Sequence, residues 1–196
     1  MRRRRFTPQL HTPEMSGTPE TLALLALVFA PMLVEARRAA RNERLQRARG
    51  GIEPSGDVYG AMRVAYPAVF LVMIAEGVWR SAHAVSTLND SGMAAAGLSL
   101  FVLAKALKWW AIVSLGRSWT FRVIVVPGDA PVAGGPYAWL RHPNYVAVVF
   151  ELAAVALLSG ARVSGPLGTL LFGALMVKRI AVEDREWARH RPPGDR

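Results

Sequence analysis

The stretch GGPYAWLRHPNYVAVVFE, Gly134 to Glu151, gathers two glycines, two tyrosines, a tryptophan, an arginine and a histidine into a short hinge. It then runs into apolar sequence that hides a glutamate. Gly134-Gly135-Pro136 frees backbone amides and permits close approach of a ligand. Pro143 suits the first position of a helix, so His142 falls at its cap, beside free N–H groups and the positive helix end. Such a place receives an anionic group such as a carboxylate. The alternative is an ordinary turn whose basic residue reaches towards lipid headgroups.

A second set of polar residues lies near the carboxyl end. Arg179 and Glu183 are four apart and share a helix face, and Asp184 adds a second acid. Arginine, acids, amides and aromatic faces together suit a ligand that carries a carboxylate, an ammonium, hydroxyls and a sulfonium. A solvated tail held by local ion pairs is the plainer reading. A third set is embedded in apolar runs: Glu76, Lys105, Lys108 and Glu151. Glu151 lies about 13 Å along its helix from His142, and Lys105 about 15 Å from Leu115, so the two share a depth. An isolated charge there costs on the order of 3 kcal/mol or more. They are therefore expected to pair, either to fix helix packing or to leave Glu151 as a base or an acceptor-orienting group.

The elements that must position these residues read as membrane helices. The 196 residues are 52% hydrophobic and 19% charged, against about 25% charged in a soluble domain. The mean hydropathy is +0.23. Five apolar spans are predicted, at about 21–34, 58–79, 93–115, 145–159 and 163–180, and the first continues as a basic helix. The fold class is an all-α integral membrane protein with a polar loop and tail at one face. Residues 1–18 form an amino-terminal tail in which Met15 is an alternative start. Residues 19–115 hold the first three spans with a basic loop over 35–57, and 116–196, with the polar loop, the last two spans and the tail, are expected to carry the chemistry and so to form the catalytic part.

The net charge of +10 comes with no nucleic-acid-binding motif, so membrane lipids, not nucleic acid, are the expected partners. Arginines between spans one and two place that loop in the cytoplasm. Alternation then puts residues 116–143 and the tail there too, with the protein in the cell membrane. Phe121 to Val126 is β-prone, and Pro127-Gly128-Asp129 marks a turn. The absence of cysteine excludes thiol chemistry and thiolate zinc sites. No metal-ligand spacing is present.

Leu115-Gly116 with Trp119, then GPYAWLRHPNY over 135–145, then Arg179 with Glu183-Asp184, resembles the isoprenylcysteine carboxyl methyltransferase family. The resemblance covers about 102–187. It implies an integral membrane O-methyltransferase that uses S-adenosylmethionine. It also implies that Gly135, Tyr137, Arg141, His142, Tyr145, Arg179, Glu183 and Asp184 line the cofactor pocket. Trp119, Phe121 and Arg122 would shape the acceptor entrance. Among these residues and the buried acid, Arg141, His142 and Glu151 are the catalytic candidates. The family's second acid is glutamate, so Asp184 reaches one methylene less far. The segments ALVFAPMLVEARRAARNE and FELAAVAL resemble bacterial members linked to lipid-phenol synthesis by type III polyketide synthases.

The acceptor is expected to be a lipophilic small molecule bearing a carboxylate or a phenolic hydroxyl. A carboxylate is already ionised at neutral pH, whereas a phenol gains from a base. The RHP-x-Y element with a distal acid pair also resembles a wider group of membrane methyltransferases and sterol reductases, so rival readings are a phospholipid N-methyltransferase, a nicotinamide-dependent, sterol-reductase-like enzyme, and a non-enzymatic membrane scaffold.

Overall fold

The computed structural model describes residues 19–83 and 91–190, apart from the side chains of Ser91, Trp187 and His190. The amino-terminal tail, with Met15, lies outside the described residues. Five helices follow in order: α1 Pro19–Ala48, α2 Tyr59–Ala82, α3 Ser91–Leu115, α4 Pro143–Ser159 and α5 Ser164–His190. Two short 3-10 turns, Gly116–Ser118 and Gly135–Ala138, interrupt the long loop between α3 and α4.

Among the described residues, four helices are long and apolar enough to cross a membrane, namely α1, α2, α3 and α5. The fifth expected span, α4, has only 17 residues. At 1.5 Å per residue it covers about 25 Å, short of the ~30 Å hydrocarbon. Its ends are set by Pro143 at the start and by Gly160 in the left-handed conformation at the finish. It tolerates this length because it is the inner helix, packed by α2, α3 and α5, with Ala147, Glu151, Leu152, Ala154 and Val155 all buried. A helix packed by protein on most of its sides, with only Val149 and Phe150 exposed, need not match the bilayer.

The core runs along α4 and takes in Val28, Phe70, Met73, Phe101, Phe172 and Met176 from the other helices. In lipid, close backbone approach drives helix association, and small residues provide it here. A Cβ on Gly77 of α2 would fall 2.1 Å from the Ser159 carbonyl oxygen that ends α4. Gly77→Ala is therefore expected to force α2 and α4 apart and cost about 1–3 kcal/mol, read as a lower denaturation midpoint in detergent.

At the opposite face from the polar loop, Glu76 accepts hydrogen bonds from the backbone N–H groups of Val163 (3.1 Å) and Ser164 (2.7 Å) and from the Ser164 hydroxyl. It thus caps α5 from α2, satisfying donors that a helix start leaves open. This is the structural role of a glutamate that the sequence left at the end of a span.

The first helix runs unbroken through the basic segment to Ala48, as the expected continuation of the first span, so the loop expected over 35–57 is confined to its last residues. Its buried positions Val28, Glu35, Ala39, Asn42 and Gln46 make one stripe. The β-prone segment pairs not with its neighbours but with the α1–α2 connection. Val125 and Ile52 exchange both backbone hydrogen bonds, at 3.0 and 2.8 Å, as an isolated antiparallel bridge.

Candidate cofactor cavity at the membrane face

The carboxyl ends of α1, α3 and α5, the amino ends of α2 and α4, and the long α3–α4 loop meet at one face. All of these but α2 contribute residues to a cavity of about 460 Å³, within the usual range for small-molecule sites. Tyr137, Arg141, His142, Tyr145, Arg179, Glu183 and Asp184 all line it, as do Trp119 and Arg122. Three expected site residues do not line it: Gly135, Phe121 and Glu151.

The floor is organised by Arg179. Its Nε donates to the Tyr145 hydroxyl at 2.8 Å, its Nη1 to Asp57 Oδ1 at 3.2 Å, and its Nη2 to the Phe121 carbonyl. The guanidinium is only 7% exposed. It clamps α4, the start of α2 and the loop onto α5, which is a use of its planar fork that lysine cannot copy. Tyr145 passes the connection on, donating to Glu183 Oε2 at 2.9 Å. The Tyr137 phenol is raised well above its ordinary pKa by burial and by the Glu183 charge. It therefore stays a hydrogen-bond donor through the physiological range.

His142 is the N-cap residue of α4, with Pro143 at the first helical position. Its Nε2 lies 3.4 Å from Asp184 Oδ1, and Arg141 Nη2 lies 3.7 Å from the same oxygen. The Arg141 side chain is 83% exposed, so its guanidinium is open to a ligand's anion at the rim. Gly135 has φ +61°, and a Cβ there would meet Ser114 Oγ at 2.1 Å. The close approach at this glycine is that of helix α3.

The loop wall is pinned by the amino-terminal third of the chain, of which Gln46 itself lines the cavity. Asn42 Nδ2 donates to the carbonyls of Gly116 (2.9 Å) and Trp119 (2.7 Å), and Gln46 Nε2 donates to Arg117 (2.9 Å). Asp57 Oδ2 accepts from Val123 N–H at 3.0 Å. Arg122 pairs with Glu53 and Glu43 and lies 4.6 Å from the Tyr59 ring centroid. Burial acts against the Glu53 charge, but hydrogen bonds from Arg122 and Arg47 outweigh it and hold that carboxyl below its ordinary pKa. Arg122 is thus engaged in anchoring while it lines the cavity. Phe121 sits behind Trp119, ring centroids 5.3 Å apart.

Two residues that sequence reasoning passed over stand out. Asp57 had one signal, an acid just ahead of an apolar run, and it accepts from Tyr59 N–H at 3.1 Å in a helix-start role. Asn144, inside the RHPNY motif, lines the cavity while its Oδ1 is buried with no hydrogen-bond partner. An amide left unsatisfied in this way fits a site completed by a ligand donor. Beside the cavity, Trp139 is 79% exposed and meets Trp110 edge to face at 5.9 Å, an aromatic pair of the kind found at membrane interfaces.

The apolar helices define a multi-pass membrane protein with a polar cavity at one end of its helices. The model of the isoprenylcysteine carboxyl methyltransferase (ICMT) family matches residues 96–189. The chain is 32% identical over 162 residues to the uncharacterized protein YpbQ of Bacillus subtilis, covering 83% of this chain and 93% of that one. It is 23% identical over 162 residues to an uncharacterized protein of Haemophilus influenzae, covering 82% and 88%. No solved structure matches it. The chain belongs to the isoprenylcysteine carboxyl methyltransferase family.

Proposed function

We propose that this protein is an S-adenosylmethionine-dependent O-methyltransferase whose acceptor is a lipophilic molecule with a carboxylate or phenolic hydroxyl. The observation that carries the reading is the composition of this cavity. It combines an open guanidinium on Arg141, two acids on Glu183 and Asp184, aromatic faces on Trp119 and Tyr137, and the unsatisfied amide oxygen of Asn144. A zwitterionic nucleoside with a cationic sulfur needs that mixture: a cation for its carboxylate, acids for its ammonium and hydroxyls, and ring faces for its sulfonium. S-Adenosylmethionine supplies an electrophilic methyl carbon.

Everything else falls to the chain. Arg141 takes the ligand's carboxylate at the rim. Glu183, oriented by the Tyr145 hydroxyl, and Asp184 accept from its donors. Trp119 and the loop wall keep water from the reacting centre, where positioning supplies most of the rate. A carboxylate acceptor needs no proton removed. For a phenol, His142 beside Asp184 is placed in the cavity to accept one. The exposed Trp110–Trp139 pair supports arrival of the acceptor from the bilayer, while the polar mouth faces water.

Binding of S-adenosylmethionine by calorimetry in detergent tests the reading. Glu183→Gln is expected to weaken it about 10- to 100-fold, since a charge-assisted hydrogen bond is worth about 1.5–3 kcal/mol. Unchanged affinity would remove Glu183 from the cavity's ligand set. Wild-type protein that binds no methyl donor, yet accumulates folded, would favour a scaffold. A panel of lipophilic carboxylates, phenols and amines with labelled methyl donor then separates acceptor classes.

The basic stripe on α1, with Arg37, Arg41 and Arg44 exposed, supports a cytoplasmic cavity. Because the chain has no cysteine of its own, Asp129→Cys offers a single label. In intact cells it should resist an impermeant maleimide and react only after permeabilisation.

A further inference from the structure

Glu35 of α1, Lys105 and Lys108 of α3, and Glu151 of α4 form a closed ring of alternating charge within the spans. Lys105 Nζ lies 3.0 Å from Glu35 Oε1 and 3.0 Å from Glu151 Oε1. Lys108 Nζ lies 2.8 Å from Glu35 Oε2 and 3.1 Å from Glu151 Oε2. Each carboxylate spans both ammoniums, and each ammonium spans both carboxylates. Tyr66 of α2 donates to Glu151 Oε2, so four helices converge there. Both acids are 1% exposed. The ring is neutral in sum, as a group at this depth must be, and none of its members lines the cavity.

We propose that this ring is the positioning device of the cavity wall. It fixes the depth and rotation of α1 so that Asn42 and Gln46 meet the loop carbonyls. Much of the outer face of α1, including Leu22, Leu33, Val34 and Leu45, is exposed. Between helices in lipid there is no hydrophobic force to fix such a helix lengthwise. An apolar stripe can slide by a turn, but a carboxylate whose two oxygens each meet a different ammonium cannot. Glu35, Ala39, Asn42 and Gln46 share one buried stripe. Asn42 lies about 10 Å and Gln46 about 16 Å further along the axis. A slip of one residue turns the stripe by about 100° and takes both amides off Gly116, Arg117 and Trp119. Glu35 and Lys105 are then positioning residues for a wall they do not touch.

The test is hydrogen exchange of residues 116–120 in the full chain in detergent. Glu35→Gln with Lys105→Met removes one charge of each sign and leaves Glu151 and Lys108 paired. That variant should keep its helical signal, while exchange at 116–120 quickens about tenfold as local opening becomes easier. Asn42→Ala should do the same, and adding it to the double variant should change little more, because both act through one helix. Exchange at the wild-type rate in the folded double variant, or additive effects, would overturn the proposal. Should the double variant fail to fold, Glu35→Asp keeps the charges balanced but cannot span both ammoniums. Faster exchange at 116–120 is expected there too, and a wild-type rate would equally overturn it. This readout holds whatever the cavity binds. A parallel loss of S-adenosylmethionine affinity, about five- to tenfold, rests on the methyl-donor reading. Faster exchange in a protein whose wild type binds no donor would sink that reading and leave the positioning role standing.

Discussion

Arg179→Met should abolish measurable methyl-donor binding and remove about 3–5 kcal/mol of stability, the usual cost of breaking a buried ion pair from one side. The size follows from what the guanidinium holds. Asp57 has a side chain only 4% exposed and would lose its charged partner. The Phe121 carbonyl and the Tyr145 hydroxyl would lose donors at the same time. Tyr145 would no longer be aimed at Glu183, so an acid of the cavity would lose its orientation along with the floor. Arg179→Lys should rescue little, since one ammonium on a flexible stem cannot meet three acceptors spread around a planar fork. Double replacement of Arg179 by Met and Asp57 by Asn should recover part of the stability and none of the binding. Calorimetry and thermal unfolding in detergent read the two effects separately. Near-normal affinity in Arg179→Met would mean that the cavity is built without its floor residue.

Glu151→Gln should be the second severe lesion, and its signature distinguishes a member of the ring from a base. Removing this carboxylate leaves two lysines, 3.0 and 2.8 Å from Glu35, to share one acid. The fold then carries an uncompensated cation among apolar helices, and about 3–5 kcal/mol of stability should go. Glu151→Gln with Lys108→Met restores neutrality and should return part of it. Donor affinity should fall with the disturbed loop, and alkaline pH should not repair it. A base for a phenol would behave otherwise. Its loss would leave stability and donor affinity intact, cut turnover by about 10²-fold or more, and be relieved as pH rises towards the phenol's own pKa. Turnover of the folded variant across pH, set against donor affinity, decides between them.

Local chemistry made much of this legible beforehand. Apolar runs of span length announced membrane helices. Pro143 after His142 placed that histidine at the start of α4. The RHPNY motif and the Arg179, Glu183, Asp184 cluster pointed to one cavity, because residues on helix ends at the same membrane face have few other places to go. The pairing of Glu151 with Lys105 followed from depth alone, since charges at equal depth in hydrocarbon seek one another.

What the sequence could not determine is which distant segments complete that cavity. Asp57 under Arg179, Asn42 and Gln46 on the loop carbonyls, and Glu35 closing the ring with Lys108 all depend on how α1 and α2 are rotated against the later helices. Each of these residues taken singly reads as an ordinary polar position near a membrane surface. The stripe Glu35, Ala39, Asn42, Gln46 has a helical period, yet its neighbouring arginines on the exposed side read as an ordinary basic face at a membrane surface. The sequence by itself determined the number and kind of elements and the end of the bundle where chemistry collects, because hydropathy and helix caps are local. Only the tertiary structure decided that Gly135 yields room to α3, that Phe121 stands behind Trp119, and that Glu151 belongs to a four-membered ring outside the cavity. Those outcomes turn on rotation and register between helices, where 100° per residue separates a cavity wall from the lipid.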